Sequence, residues 1–156
     1  REGEPEVELG ELVDRVVSRW ETLAKQKGME VFGLRPDDPV RAIGHPVMLE
    51  QVLSNLLGNA VKAGNAGGNA AVVLERRGQR FELVVMDDGP GVPPEELPRL
   101  QERTFRAGDP RQRDVTGGGL GLAIVGEVVA RLGWGLRLEA NEPRGLKVSV
   151  EGPLEV

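Results

Sequence analysis

The strongest constraint on the fold is an order of segments that repeats three times: a helix-like stretch followed by two strand-like stretches. Apolar residues recur at helical spacing over residues 8–27, 47–63 and 119–132. Short apolar stretches bounded by Gly, Pro or polar turns predict strands at 29–36, 40–43, 70–77, 80–87, 136–140 and 146–151. This order predicts an α+β two-layer sandwich, in which a mixed β-sheet of about five strands carries three helices on one face.

The composition is typical of a single globular domain. The chain has 156 residues, of which 39% are hydrophobic and 29% are charged, and this suffices for one core. A net charge of −5 argues against a protein that coats nucleic acid or an acidic membrane. Without cysteine and with one histidine, disulfides, thiolate catalysis and most zinc sites are excluded. Because the chain begins with Arg1 and not with Met, we expect a fragment of a longer protein.

The second helix carries a row of polar side chains beside its apolar stripe. Asn55, Asn59 and Lys62, which we call the polar row, are spaced i, i+4 and i+7 and so share one edge of the helix. Asparagine is a poor helix former, so two of them one turn apart require a reason. A solvated helix face is one explanation. Ligand binding is the other, because an Asn carbonyl oxygen suits a hard cation such as magnesium (Mg²⁺).

An acid lies at the end of the strand predicted over 80–87. Phe81, Leu83 and Val85 alternate along the strand, and the same face continues to Asp87. A buried carboxylate needs hydrogen-bond donors, which come either from a ligand or from the turn that follows at Gly89, Pro90 and Gly91, which we call the glycine turn. The amine of adenine is such a donor, whereas guanine places an oxygen there and leaves the carboxylate unsatisfied, at a cost of roughly 1–3 kcal/mol.

Three glycines, residues 117–119, directly precede the helix that begins near Leu120. Their backbone amides and the helix N-terminus are suited to hold a phosphate at close range; simple flexibility is the alternative. The run matches neither the P-loop nor the dinucleotide-binding fingerprint. Positive charge in the preceding loop favours a phosphate, and it is supplied by Arg103, Arg106, Arg111 and Arg113.

Taken in order, these segments resemble the N, G1 and G2 boxes of the catalytic ATP-binding domain of sensor histidine kinases, within the Bergerat-fold superfamily that includes gyrase B-type ATPases. The three matching stretches are LEQVLSNLLGNAVKA (49–63), MDDGPGV (86–92) and TGGGLGLAIV (116–125). The first helix and the last strand also fit, so the resemblance spans nearly the whole chain. It implies one catalytic domain over residues 1–156 that lacks the phosphoacceptor and dimerisation helices.

The resemblance also implies roles for single residues. Asn59 would bind Mg²⁺, Asn55 would support the metal site, and Lys62 would contact phosphate. Asp87 would accept a hydrogen bond from the adenine amine. Arg106 would lie near the γ-phosphate, which makes Asn55, Lys62 and Arg106 the expected catalytic group.

Glycines and a lid complete the nucleotide site that the resemblance implies. Gly89 and Gly91 would shape the base pocket. The triphosphate would be held by Gly117, Gly118, Gly119, Leu120 and Gly121. Residues from about 93 to 116, with one short helix within 93–103, would form the ATP lid. The F box within this lid departs from the family pattern, because Gln101 and Thr104 stand where phenylalanines are expected.

The implied activity is transfer of the γ-phosphoryl group of ATP to a histidine supplied by another segment. The implied partners are a histidine-containing dimerisation domain of the same parent protein and a downstream response-regulator receiver domain. Neither nucleic acid nor direct membrane contact is expected. The isolated domain is expected to be a cytoplasmic monomer. We expect His45 to have a structural role in a turn and not to be the phosphoacceptor.

Two alternatives remain at this point. The altered F box is also compatible with a nucleotide-binding regulatory module that has weak or no kinase activity. A serine kinase of the anti-sigma-factor type is the other alternative. Such kinases tend to carry Glu where this chain has Asn55, and an amide cannot take a proton from serine or water.

Overall fold

A computed structural model describes residues 3–93, 95, 97 and 119–155. Among these residues the helices are α1 (Leu9–Gln26), α2 (Pro46–Ala63) and α3 (Gly119–Leu132). The strands are β1 (Glu6–Glu8), β2 (Glu30–Leu34), β3 (Arg41–Ile43), β4 (Asn69–Arg77), β5 (Arg80–Asp87), β6 (Gly135–Ala140) and β7 (Leu146–Pro153). In the described part of the chain, no helix combines the length and the apolar character that crossing a membrane requires.

Five of the strands form one mixed sheet in the order β2-β4-β5-β7-β6. The β2–β4 pair is parallel, and the other three pairs are antiparallel. The predicted α+β sandwich with three helices and a mixed five-stranded sheet is therefore confirmed. β1 and β3 pair separately in a two-stranded sheet, and the sequence analysis did not predict β1.

The core lies between the helices and one face of the sheet. A row of buried side chains in register crosses four strands and consists of Val72, Val85, Val148 and Leu138. Because successive side chains of a strand point to opposite faces, this row fixes which face of every strand meets the helices. Asp87 lies two residues beyond Val85 and is therefore on the same face.

The start of each of the first two helices follows from its sequence. At α1, the Glu8 side chain accepts a hydrogen bond from the Gly10 backbone N–H at 2.7 Å, which satisfies one of the free amides of the first turn. α2 has Pro46 in its first turn, as predicted, because proline lacks the N–H that would otherwise be unpaired there. His45 is the exposed residue that precedes this turn.

α1 and α2 approach closely at Trp20 and Gly58. The Trp20 indole N–H donates to the Ser54 hydroxyl at 3.0 Å, which fixes the ring against α2. A Cβ atom at Gly58 would lie 2.6 Å from Trp20 Cζ2. Glycine in this otherwise regular helix is therefore explained by the indole ring that occupies the space of a side chain.

Replacing Gly58 by Ala is expected to lower the free energy of unfolding, measured by urea denaturation. Alanine favours a helix by about 0.5–1 kcal/mol, but overpacking a tight contact costs about 1–3 kcal/mol, so we expect a net loss of up to about 2.5 kcal/mol. Trp20→Leu is the matched background, because it removes the ring. The packing explanation is contradicted if Gly58→Ala has the same effect with and without Trp20.

Candidate functional site

Asp87 is a buried acid at the end of β5, with 8% of its surface exposed. Its Oδ1 accepts a hydrogen bond from the Gly89 backbone N–H at 2.8 Å, and the Leu146 backbone N–H also donates to the carboxylate. Burial raises the pKa of Asp87; the Gly89 and Leu146 hydrogen bonds oppose this, and nearby Asp88 adds to it. Since a carboxylate offers about four acceptor positions, these two donors leave capacity for a donor from a ligand.

Asp88, the second acid of the turn, has a different environment. Its carboxylate accepts from the Asn69 backbone N–H at 2.8 Å and from Asn69 Nδ2 at 3.0 Å. These hydrogen bonds lower the pKa of Asp88. Asp88 therefore ties the glycine turn to the first residue of β4. Sequence reasoning missed the contact between Asp88 and Asn69. The signal that was present is the Asp-Asp dipeptide, because two adjacent acids need different partners.

The opposite pKa shifts of Asp87 and Asp88 predict that pH affects the stability of Asp87→Asn and of Asp88→Asn differently. A raised pKa means that folding favours the protonated acid, so this contribution is present below the ordinary carboxyl pKa and is lost as pH rises through the raised value. The free energy of unfolding of Asp87→Asn, relative to that of wild type, is therefore expected to increase as the pH rises from about 4 to about 7. Urea denaturation at both pH values measures this gain.

Asp88→Asn is the control for that experiment. The lowered pKa of Asp88 stabilises the fold above the ordinary carboxyl pKa, and this contribution is lost only as pH falls through the lowered value. Asp88→Asn is therefore expected to show no such gain over the same range. If Asp87→Asn gains no more free energy of unfolding than Asp88→Asn over this pH range, the burial argument is contradicted.

The polar row lies on α2, the helix next to Asp87. Asn55 and Asn59 are half-buried and Lys62 is exposed. Asn59 Nδ2 is buried and has no hydrogen-bond partner among the residues that the structure describes. The Lys62 ammonium lies 5.9 Å from the centroid of the Trp20 ring, within the range of a cation–π contact. The Asn59 carboxamide therefore has a hydrogen-bond donor that no described residue satisfies.

The end of α2 and the Asp87 carboxylate are adjacent. A Cβ atom at Gly89 would lie 3.0 Å from Asp87 Oδ1 and 3.5 Å from the Ala63 carbonyl oxygen. Asn59 is one helical turn before Ala63 and therefore on the same side of α2. The structure thus brings the base-binding candidate next to the helix face that carries the metal-binding candidate.

The predicted phosphate site is described only at its helix. Gly119, Leu120 and Gly121 form the first turn of α3, whose amides lack partners within the helix. α3 packs against α2. Gly117, Gly118 and Arg106 lie outside the described residues, as do the substituted F-box positions Gln101 and Thr104 and most of the predicted lid.

A turn that the sequence analysis treated only as a connection also contacts Asp87. Residues 141–145 join β6 to β7, and the Asn141 side chain donates to the Asp87 carbonyl oxygen at 2.8 Å. The two residues are 54 positions apart, so no local pattern indicates the contact. The only signal was the polar Asn-Glu-Pro-Arg-Gly sequence of the turn itself.

Comparison with known proteins places this chain in a family. Residues 44–156 match the family described as histidine kinase-, DNA gyrase B-, and HSP90-like ATPase. The chain is 36% identical over 132 residues to the sensor histidine kinase RcsC of Escherichia coli (strain K12), which covers 83% of this chain and 14% of RcsC. The chain therefore spans a small part of this relative.

Solved structures agree with the sequence match. The mycobacterial sensor histidine kinase MprB has a TM-score of 0.77 at 32% identity, over 97% of this chain and 98% of that one. Full-length ShkA in complex with AMPPNP has a TM-score of 0.81 at 28% identity, over 99% of this chain and 32% of ShkA. The chain therefore belongs to the histidine kinase-, DNA gyrase B- and HSP90-like ATPase family, as an ATP-binding catalytic domain of the sensor histidine kinase type.

Proposed function

We propose that this domain binds Mg-ATP and transfers the γ-phosphoryl group to a histidine on a separate dimerisation domain of its parent protein. One observation carries the proposal: a buried acid with spare acceptor capacity lies beside the helix that bears the polar row. AMPPNP in the ShkA complex supports a nucleotide as the ligand. We further propose that residues 1–156 form one such domain, with a lid over about 93–116.

The adenine base is recognised by Asp87 in this proposal. The ionised carboxylate accepts a hydrogen bond from the N6 amine of adenine, while Gly89 and Gly91 allow the backbone to pass close to the ring. Guanine places an oxygen at the same position, and the buried acid is then left facing a second acceptor, at a cost of about 1–3 kcal/mol. Selectivity for adenine follows from this difference.

The metal and the phosphates are held by α2 and by the start of α3. The Asn59 carboxamide suits Mg²⁺, because a neutral oxygen ligand complements a cation that takes its other ligands from phosphate and water. The Asn59 Nδ2 is buried without a hydrogen-bond partner among the described residues, so it is available to donate to a phosphate or water oxygen beside the metal. Asn55 supports the metal site and Lys62 contacts phosphate. When bound there, Mg²⁺ would neutralise the charge that develops during phosphoryl transfer.

The remaining phosphate contacts come from backbone amides and from the lid. Gly119, Leu120 and Gly121 form the N-terminus of α3, whose N–H groups favour an anion, and Gly117 and Gly118, which lie outside the described residues, would add their amides. Arg106 adds positive charge near the γ-phosphate. Lys62 reaches the phosphates after leaving the Trp20 ring, a contact worth only about 0.5–1 kcal/mol at an exposed site.

A histidine acceptor fits the polar row better than a serine or water acceptor. A neutral imidazole is already a nucleophile, so transfer to histidine needs no strong base. Asn55 stands at the position from which a base would act, and an amide cannot accept that proton. His45 is at the entry of α2, and we do not assign it as the acceptor. We assign the acceptor histidine to the parent's dimerisation domain. The phosphoryl group then passes to a response-regulator receiver domain.

Transfer in trans is the experiment that tests this function. The chain is mixed with γ-labelled ATP, Mg²⁺ and the histidine-bearing domain of its parent, and phosphohistidine is expected on that domain only. The substituted F box (Gln101 and Thr104) favours one other function, a regulatory module that binds nucleotide without transfer. ATP binding without any labelled histidine supports that module and contradicts the kinase.

A further inference from the structure

We propose that the β6–β7 turn holds Asp87 in the position that selects the purine, with Asn141 and Arg144 as its specificity-determining residues. The proposal rests on the function proposed above, because it assigns the base to Asp87. It concerns residues that lie outside the three sequence boxes and that reach the acid from the far end of the chain.

The first contact is made by Asn141 on the backbone of Asp87. The β5–β7 ladder ends at the pair Met86 and Lys147, so the next carbonyl on this edge of β5 has no partner in the strands that the structure describes. Asn141 Nδ2 donates to that Asp87 carbonyl at 2.8 Å. Because a buried carbonyl needs a donor, the side chain takes the place of the missing strand amide and fixes the peptide that carries the acid.

The second contact is made by Arg144 on the glycine turn. Arg144 Nε donates to the Gly89 carbonyl oxygen at 3.0 Å. Gly89 in turn donates its backbone N–H to Asp87 Oδ1. Arg144 therefore acts on the carboxylate through one residue: it holds the Gly89–Pro90 peptide, which adjoins the Asp88–Gly89 peptide whose N–H orients the acid.

The third contact is a close approach that only glycine permits. Gly145 has φ +108°, and a Cβ atom there would lie 1.8 Å from the Asp87 carbonyl oxygen and 3.0 Å from Oδ1. The Asn141 backbone N–H donates to the Gly145 carbonyl at 3.0 Å and closes the turn. Leu146, the next residue, donates to the carboxylate itself. The turn therefore contacts the backbone of Asp87 and one side of its side chain.

These contacts bear on base selection more than on phosphate binding. A hydrogen bond to the base amine depends on the position of the carboxylate within about 0.5 Å. The phosphates are assigned to α2 and α3, whereas the side chains of Asn141 and Arg144 bond to the backbone of Asp87 and Gly89. Loosening the β6–β7 turn should therefore reduce the preference for ATP over GTP and leave the affinity for the triphosphate group unchanged.

The test compares ATP, GTP and inorganic tripolyphosphate binding by the whole chain and its variants, using calorimetry. Asn141→Ala is expected to reduce the ATP to GTP affinity ratio by about threefold to tenfold, the range of one hydrogen bond, with unchanged tripolyphosphate affinity. Arg144→Ala is expected to act in the same direction. Glu142→Ala is the matched control, because this residue lies exposed in the same turn and should leave the ratio unchanged.

The possible outcomes separate this inference from the proposed function. A wild-type chain without preference for ATP contradicts both. A wild-type preference that survives in Asn141→Ala and Arg144→Ala overturns the inference alone, and so does an equal loss for all three ligands, which indicates a general loss of structure. If Asn141→Ala does not fold, Arg144→Ala decides by the same criteria, since its side chain is exposed.

Discussion

Replacing Asp87 by Asn is expected to weaken ATP binding at pH 7 by about tenfold or more. The Gly89 backbone N–H already donates to one carboxylate oxygen, so the single oxygen of Asn is expected to serve this turn. The amide NH₂ group then faces the base where an acceptor is needed. Two donors meet at the adenine amine, and the same change favours the oxygen of guanine. Calorimetric titration with ATP and GTP measures both effects.

Asp88→Asn is the control for this measurement. It has the same change in charge and shape one residue away, and its oxygen can still accept from the Asn69 backbone N–H. We expect it to retain most of the affinity for ATP and its preference over GTP. Unchanged ATP affinity in Asp87→Asn removes this acid from the base site.

Replacing Asn59 by Ala is expected to reduce Mg²⁺-dependent phosphoryl transfer by at least about a hundredfold, the loss typical of one preorganised electrostatic contact. The fold should persist, because Ala is the better helix former and Asn59 Nδ2 has no partner to lose among the described residues. Transfer of label to the parent's histidine-bearing domain measures the first effect. Urea denaturation measures the second.

Gln51→Ala is the matched control for Asn59→Ala. Gln51 is exposed on the same helix and lies eight residues before Asn59, which is about 12 Å along the helix axis. Removing this amide should leave transfer unchanged. Retained transfer in Asn59→Ala contradicts the metal assignment, whatever the control shows.

The helices and the main sheet could be predicted because their patterns are local. α1 and α2 each contain 18 residues with a sustained apolar stripe. The β4–β5 and β6–β7 pairs are hairpins between neighbouring segments. β1 could not be predicted, because it has only three residues and its pairing with β3 crosses the whole of α1. Family membership was predictable for the same reason, since each box is a short local pattern.

The candidate site was predictable only in part. The alternation that ends at Asp87 places its side chain on the core face, and the buried acid confirms this. The contacts that fix Asp87 and the glycine turn were not predictable. Strand register brings Asn69 to Asp88, and hairpin packing brings Asn141 to the Asp87 carbonyl. The Lys62 contact with Trp20 likewise depends on how α1 crosses α2. The binding roles of the polar row stay predictions.

One titration tests the central claim most directly, which is that Asp87 selects the base while the polar row binds the metal of the triphosphate. The chain is titrated with ATP and with GTP, each in the presence and absence of Mg²⁺. We expect tighter binding of ATP than of GTP under both conditions and a further gain in affinity for ATP when Mg²⁺ is present. Equal affinity for ATP and GTP, with no effect of Mg²⁺, would contradict it.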